Sequence, residues 1–163
     1  MSSSHYSIRP AASGDAQALG RLGAMLMRAH YAFDPQRFLP PGDSPEEGYG
    51  WFLNSQRRSR DAVVLVAEMR ESQQIAGYVY AALEPMSWKE LRDAAGFVHD
   101  VAVDPAFRRQ GIASALMTAA IDWLREHGAP RVLLWTAAPN AEAQRLFDSL
   151  GFRRTMIEMT REI

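Results

Sequence analysis

At Val101-Ala102-Val103-Asp104-Pro105 an apolar run ends in a tight turn, and a helix begins soon after it, at Ile112. Arg108, Arg109, Gln110 and Gly111 lie between turn and helix, and Ala113 and Ser114 keep the first helical turn small. This junction constrains the chain more than any other stretch. A strand over residues 97–103 leads into a helix with Ile112, Leu116, Met117, Ala120, Ile121 and Leu124 on one face, closed by Gly128. A second apolar run over residues 131–136 follows, so the three pieces form a strand–helix–strand unit with parallel strands. The junction also suits an anion. Amides at a helix start have no intrahelical acceptor, and the helix dipole favours negative charge there. Gly111 lets a bulky group approach the backbone, and the arginines offer forked, charge-assisted bonds. Spacing alone fits equally well a strand–turn–helix joint with solvated arginines. It does not fit a nucleotide P-loop, because no Gly-Lys-Ser/Thr follows, nor a three-glycine dinucleotide turn.

The rest of the chain supplies partners for this unit. Tyr6-Ser7-Ile8-Arg9 predicts a first strand ended by Pro10. Ser13 is the expected cap of a helix with Asp15 in its first turn and Leu19, Leu22, Met25, Leu26 and Ala29 at helical spacing. Ser44-Pro45-Glu46-Glu47 predicts a second helix, with Ser44 as cap, Pro45 at the first position and Glu47 closing a capping box. Tyr49, Phe52 and Leu53 give that helix its apolar side. Val63-Val64-Leu65-Val66-Ala67 and residues 75–83 read as a hairpin around Gln73-Gln74. Asn140 caps a short helix that turns Leu146, Phe147 and Leu150 inward and stops at Gly151. Residues 152–163 are a final extended region, in which Met156, Glu158 and Thr160 alternate with Ile157, Met159 and Arg161. The class is therefore α/β (α+β) with a mixed sheet.

Composition narrows the function. The 163 residues suit a single domain spanning 1–163, large enough to bury a real core. A net charge of −1 removes the main electrostatic argument for a nucleic-acid partner. No apolar stretch approaches the ~18 residues of a membrane helix. Met1-Ser2-Ser3-Ser4-His5-Tyr6 lacks the basic flank and apolar core of a secretory leader, so a cytoplasmic protein without a membrane partner is expected. There is no cysteine, hence no disulfide, no thiolate metal site and no cysteine nucleophile. No His/Asp/Glu set has metal-ligand spacing, and no metal is expected. Of the 18 basic residues all but Lys89 are arginine, a bias most simply read as compositional.

Arg108-Arg109-Gln110-Gly111-Ile112-Ala113 resembles the central motif of the GNAT superfamily of acyl-CoA-dependent N-acyltransferases, Arg/Gln-x-x-Gly-x-Gly/Ala. The preceding Val-Ala-Val-Asp-Pro is similar to the family's strand and turn. A second family region, a strand followed by Asn, a short helix and Gly-Phe, is matched by Leu133-Leu134-Trp135-Thr136, Asn140 and Gly151-Phe152. The resemblance covers residues 97–152 closely and the element order loosely. It implies a mostly antiparallel central sheet of six to seven strands, flanked by about four helices and splayed between the fourth and fifth strands. Acetyl-CoA would lie in that splay as co-substrate. Its pantetheine would pair with Val101, Ala102 and Val103. Its pyrophosphate would sit on the amides of residues 109–114, beside Arg108, Arg109, Gln110, Gly111, Ile112, Ala113 and Ser114. Asn140 would lie near the pantetheine or thiol end, and Phe147 would also contact the co-substrate.

The reaction implied is acetyl transfer to a primary amine of a small molecule or peptide. Without a cysteine, direct attack in a ternary complex replaces an acetyl-enzyme. A lysine-like amine has a pKa of about 10.4 and an α-amine about 7.7–8.0, so the first kind needs a side-chain base more than the second. His99 is the first candidate and Asp100 the second. His99 precedes Val101 by two residues, which puts both on one face unless a bulge intervenes. Many family members protonate the leaving thiolate with a tyrosine on the last helix; here that position is Phe147. Tyr78, Tyr80 or water could replace it, or the thiolate could leave unaided. Acceptor contacts are sought at His30, Tyr31, Phe33, Asp34, Tyr49, Trp51, Trp88 and Glu158, with Tyr31, Phe33, Trp88 and Glu158 foremost. A homodimer through the C-terminal strands is a further expectation. The alternative is a non-catalytic CoA-binding regulatory module on the same fold.

Overall fold

The computed structural model describes residues 5–163. Met1, Ser2, Ser3 and Ser4, on which the reading of the chain start partly rests, lie outside the described residues. Strand β1 (Tyr6–Pro10) is followed by helices α1 (Ala16–Phe33) and α2 (Pro45–Gln56). The strands β2 (Ala62–Met69), β3 (Ile75–Glu84) and β4 (Ala95–Val103) come next. Helix α3 (Ile112–Glu126), strand β5 (Val132–Leu134) and helix α4 (Ala141–Ser149) complete the described elements. The five strands lie in chain order in one sheet. The first four pair antiparallel, and β5 runs parallel to β4, as the strand–helix–strand unit requires.

The sheet is buried on both faces by alternation. Val63, Leu65 and Ala67 of β2 point with Val79, Ala81 and Val98 toward Leu116, Met117, Ala120 and Leu124 of α3. Val64 and Val66 point the other way, with Tyr78 and Tyr80, toward Leu19 and Leu22 of α1 and Leu53 of α2. Leu116 has no exposed surface, so truncating it to Ala should cost about 2–5 kcal/mol. Of the inward residues expected on α4, Phe147 is buried while Leu146 and Leu150 are half-buried.

Several local expectations need correction. Ser13 caps nothing; residues 13–15 form a single 3-10 turn ahead of α1. Asp15 stands at the start of α1 but turns its side chain back: Oδ2 accepts from the Ala12 amide at 2.8 Å, and the carboxylate is forked by Arg9 at 2.7 and 3.0 Å. Ser44 does stand at the start of α2, but its side chain makes no cap bond; its carbonyl accepts from Gly48. The run over residues 131–136 shortens to three strand residues, Val132–Leu134.

The sheet has five strands where six to seven were expected, because residues 153–163 form no regular structure and are exposed throughout. Their alternating pattern buries neither face, so nothing offsets the entropy of ordering a strand. The splay between the fourth and fifth strands is present. β5 pairs with β4 only at Gly96, Phe97 and Val98, and beyond Val98 that edge of β4 pairs with no strand among the described residues. No helix among the described residues is long and apolar enough to cross a membrane.

Candidate active site

The splay opens a cleft of about 450 Å³. Its walls come from α1 and the segment after it (Leu26, Met27, His30, Arg37, Phe38, Leu39), from Tyr49, from residues 98–101 and 134–136, and from Asn140, Ala143 and Phe147. The expected residues His99, Asp100, Val101, Asn140 and Phe147 are thus brought together. Tyr31, Phe33 and Trp88 are not part of this wall. Phe33 meets the edge of His30 at 5.8 Å, whereas Trp88 stands 80% exposed in the loop after β3.

One extra residue decides the faces of β4. Tyr80 pairs with Asp100 while Ala81 pairs with Val98, so His99 is a bulge residue with no partner of its own on β3. The expected shared face of His99 and Val101 is lost. Val101 packs with Val98 toward α3, and His99 turns its ring to the opposite side. There it is stacked between Phe97 at 4.7 Å and Tyr80 at 4.9 Å, with Nε2 3.0 Å from Glu84 Oε1. A proton on Nε2 shared with Glu84 leaves Nδ1 as the acceptor nitrogen.

Asp100 follows the bulge and points toward α1 and α2. Its Oδ2 accepts from the Tyr49 hydroxyl at 3.1 Å and from the Tyr78 hydroxyl at 3.0 Å. Oδ1 takes part in neither bond. Asp100 itself lines the cleft. Burial pushes the Asp100 carboxyl above the usual carboxylate range, and the two tyrosine hydroxyls hold it down in part. Burial beside this carboxylate raises both tyrosines, so they remain donors. Tyr49 reaches Asp100 because Gly23 on α1 has no side chain. A Cβ there would lie 2.1 Å from the Tyr49 ring.

The junction ahead of α3 is shaped as an anion cradle. Asp104 holds the turn by accepting from the Ala106 amide at 2.9 Å and pairing with Arg21 at 2.5 Å. Arg109 has φ of 61° and Gly111 φ of 76°, both left-handed. For arginine this conformation costs on the order of 1–3 kcal/mol, whereas glycine adopts it freely. The first amide of α3 bonded back into the helix is that of Ala115, on the Gly111 carbonyl. The amides of Ile112, Ala113 and Ser114 are those that helix geometry leaves without such a partner. Arg108 donates through Nε to the Val103 carbonyl at 3.3 Å, and Arg108, Arg109 and Gln110 are exposed. Val101 and Val103 are half-buried, and Ala102 is buried against the α1–α2 layer.

At the far end of the cleft Asn140 caps α4 by accepting from the Ala143 amide at 3.2 Å. Phe147 forms wall and core at once and has no proton to give. The tyrosines considered in its place are both engaged: Tyr78 with Asp100, and Tyr80 with Gln56 at 3.0 Å. Glu158 is forked by Arg37. Two side chains were missed in the sequence as partners: Tyr49 for Asp100, and Arg37 for Glu158. No local pattern marks either pair.

The acetyltransferase (GNAT) family profile matches residues 25–152, which contain the splay, the bulge and the cradle. The chain belongs to the GNAT family. A mycothiol acetyltransferase of Kocuria rhizophila is 31% identical over 133 residues, covering 81% of this chain and 41% of that protein. A [ribosomal protein bS18]-alanine N-acetyltransferase of Haemophilus ducreyi is 43% identical over 58 residues, covering 36% of this chain and 40% of that protein. The chain therefore spans less than half the length of these curated relatives. Among solved structures, an aminoglycoside N-acetyltransferase in complex with CoA aligns with a TM-score of 0.72 at 18% identity, covering 99% of this chain and 96% of the other. This GNAT likeness reaches the mixed sheet and its four helices, with the five strands described above.

Proposed function

We propose that this GNAT chain transfers an acetyl group from acetyl-CoA to a primary amine, with Asp100 as the proton acceptor. The observation that carries the reading is that Asp100 lines the cleft where β4 leaves β5, with Oδ2 held by two tyrosines and Oδ1 outside both bonds. The cradle ahead of α3 supports the co-substrate: unpartnered first-turn amides, a left-handed Gly111 and two exposed arginines suit a pyrophosphate. The unpaired edge of residues 99–103 offers backbone groups to pantetheine. Acetyl-CoA supplies the thioester acetyl group.

The chain's part is to hold the amine and remove its proton. An amine in the cleft gives its proton to Asp100 Oδ1, directly or through a water. Its lone pair forms the C–N bond as the C–S bond breaks. Tyr49 and Tyr78 fix the carboxylate and tune it. A carboxyl held above its ordinary range is a stronger base than an exposed one. His99 is the second candidate, through Nδ1; its stacking and its Glu84 contact also suit a purely structural role. The thiolate leaves without a side-chain acid at Phe147 and takes its proton from water.

Phe147 favours one second reading, a CoA-binding regulatory module without turnover. Thiol release from acetyl-CoA with an amine panel, run beside a thermal-shift titration, separates the two. Ligand at ~100 times its Kd should stabilise by ~2.7 kcal/mol. Stabilisation with turnover supports the enzyme, stabilisation without turnover the module. Absence of any shift with millimolar CoA would contradict both.

A further inference from the structure

Arg37 lies in the segment between α1 and α2, at the wall of the cleft. Its guanidinium makes a fork on the Glu158 carboxylate: Nε donates to Oε1, and Nη2 donates to Oε2 at 2.9 Å. A two-point fork fixes the plane of a carboxylate as well as its charge. The guanidinium lies 5.1 Å from the centre of the Phe38 ring, and that ring lies 5.0 Å from the His30 imidazole. His30 and Asp100 both line the cleft. His30 Nδ1 is 2.9 Å from the Leu26 carbonyl, which can only accept, so Nε2 is the nitrogen with a free lone pair. Arg37, Phe38 and His30 thus run from the fork along the cleft wall that also holds the proposed base.

Glu158 reaches Arg37 from residues 153–163, which have no helix or strand and are exposed along their length. Among the described residues, the side-chain bonds that hold this segment are Arg154 to Gln144 at 3.0 Å and the Glu158 fork. An exposed ion pair contributes little to stability, because water solvates both partners almost as well. The fork is therefore a shaped carboxylate site at the exposed wall of the cleft, filled by a weakly held carboxylate from the chain itself.

We infer that Arg37 is the anion anchor of the acceptor site. The acceptor is a small amine that also carries a carboxylate, and Glu158 occupies the anchor until that carboxylate displaces it. A cleft of about 450 Å³ suits a small amino acid of this kind. The inference rests on the acetyl-transfer reading above, and it makes Arg37 a specificity-determining residue rather than a catalytic one.

The test compares β-alanine, γ-aminobutyrate and ε-aminocaproate with propylamine, butylamine and hexylamine, each series matched in chain length. For at least one pair, kcat/KM should favour the carboxylated amine by about tenfold or more, mainly through KM. Arg37→Gln should bring that ratio close to one, and Glu158→Gln should raise it by removing the internal competitor. Equal kcat/KM across all pairs, or a preference that survives Arg37→Gln, overturns the inference and leaves acetyl transfer standing. Calorimetric binding of ε-aminocaproate to the CoA-loaded protein needs no turnover. Binding that Arg37→Gln removes, in a protein that acetylates neither series, upholds the anchor and overturns acetyl transfer. Neither binding nor acetylation overturns both.

Discussion

The Tyr49 hydroxyl donates to Oδ2 of Asp100 at 3.1 Å, joining helix α2 to strand β4 across 51 residues of sequence. Tyr78 donates to the same oxygen from the neighbouring strand. A donor to a carboxylate favours its ionised form, so removing one raises the carboxyl pKa further. Tyr49→Phe should therefore move the acidic limb of the pH–rate profile to higher pH and lower activity near neutrality. An unmoved limb would detach Tyr49 from the reacting proton.

The same carboxyl should weaken the fold where it serves the reaction. Burial holds Asp100 above its unfolded value of about 3.9, so around and above that pH the native state keeps a proton that the unfolded chain has released. Its contribution to stability is full below the unfolded pKa and is lost as pH rises through the folded one. Asn at this position carries no charge to bury and can still accept from both tyrosines. Thermal melts across pH should show Asp100→Asn gaining on the wild type as pH rises, then holding a constant lead. A less stable variant at pH near 8 would mean that the hydrogen bonds outweigh the burial.

Gly23 is expected to matter through Tyr49 alone. A methyl group there would lie 2.1 Å from the Tyr49 ring, so Gly23→Ala must displace it. Overpacking of this kind costs about 1–3 kcal/mol. Activity should fall with the same pH signature as Tyr49→Phe. Gly48→Ala on α2, with nothing within 4 Å of the added carbon, is the control and should be neutral or slightly stabilising. Denaturant melts and rates on the three proteins check both statements.

Much of the frame was legible because the relevant signals are local. Asp104-Pro105, Gly111, Asn140 and Gly151 mark turns and caps by their own backbone chemistry, and the structure has breaks at each of them. The hairpin turns at Gln73, which adopts a left-handed φ of 57°. What stayed hidden depends on pairing between distant segments. The bulge at His99 exists only in relation to Tyr80 and Ala81 on β3, and no glycine or proline announces it. It turned His99 away from Val101 and onto the face that Asp100 occupies. Arg37 and Glu158 meet across 121 residues. The alternation in residues 153–163 is a strand signal, but a strand also needs a partner edge, which the three-residue β5 does not give it.

Gly111→Glu tests the cradle. The backbone there has φ of 76°, which strains any side chain, and the added carboxylate would face the expected phosphates. Acetyl-CoA affinity should fall below detection by calorimetry, while Gly111→Ala, strained but uncharged, should lose less. Normal affinity in the glutamate variant, with an intact melt, would remove the pyrophosphate from this site.

The central claim is that Asp100 takes the proton from an amine acetylated by acetyl-CoA. Steady-state thiol release with an accepted amine, measured side by side for the wild type and Asp100→Asn, tests it most directly. A positioned base is typically worth ~10²–10⁴-fold, so turnover should fall by at least about a hundredfold in the variant, with acetyl-CoA affinity little changed. Wild-type turnover in Asp100→Asn would contradict the account.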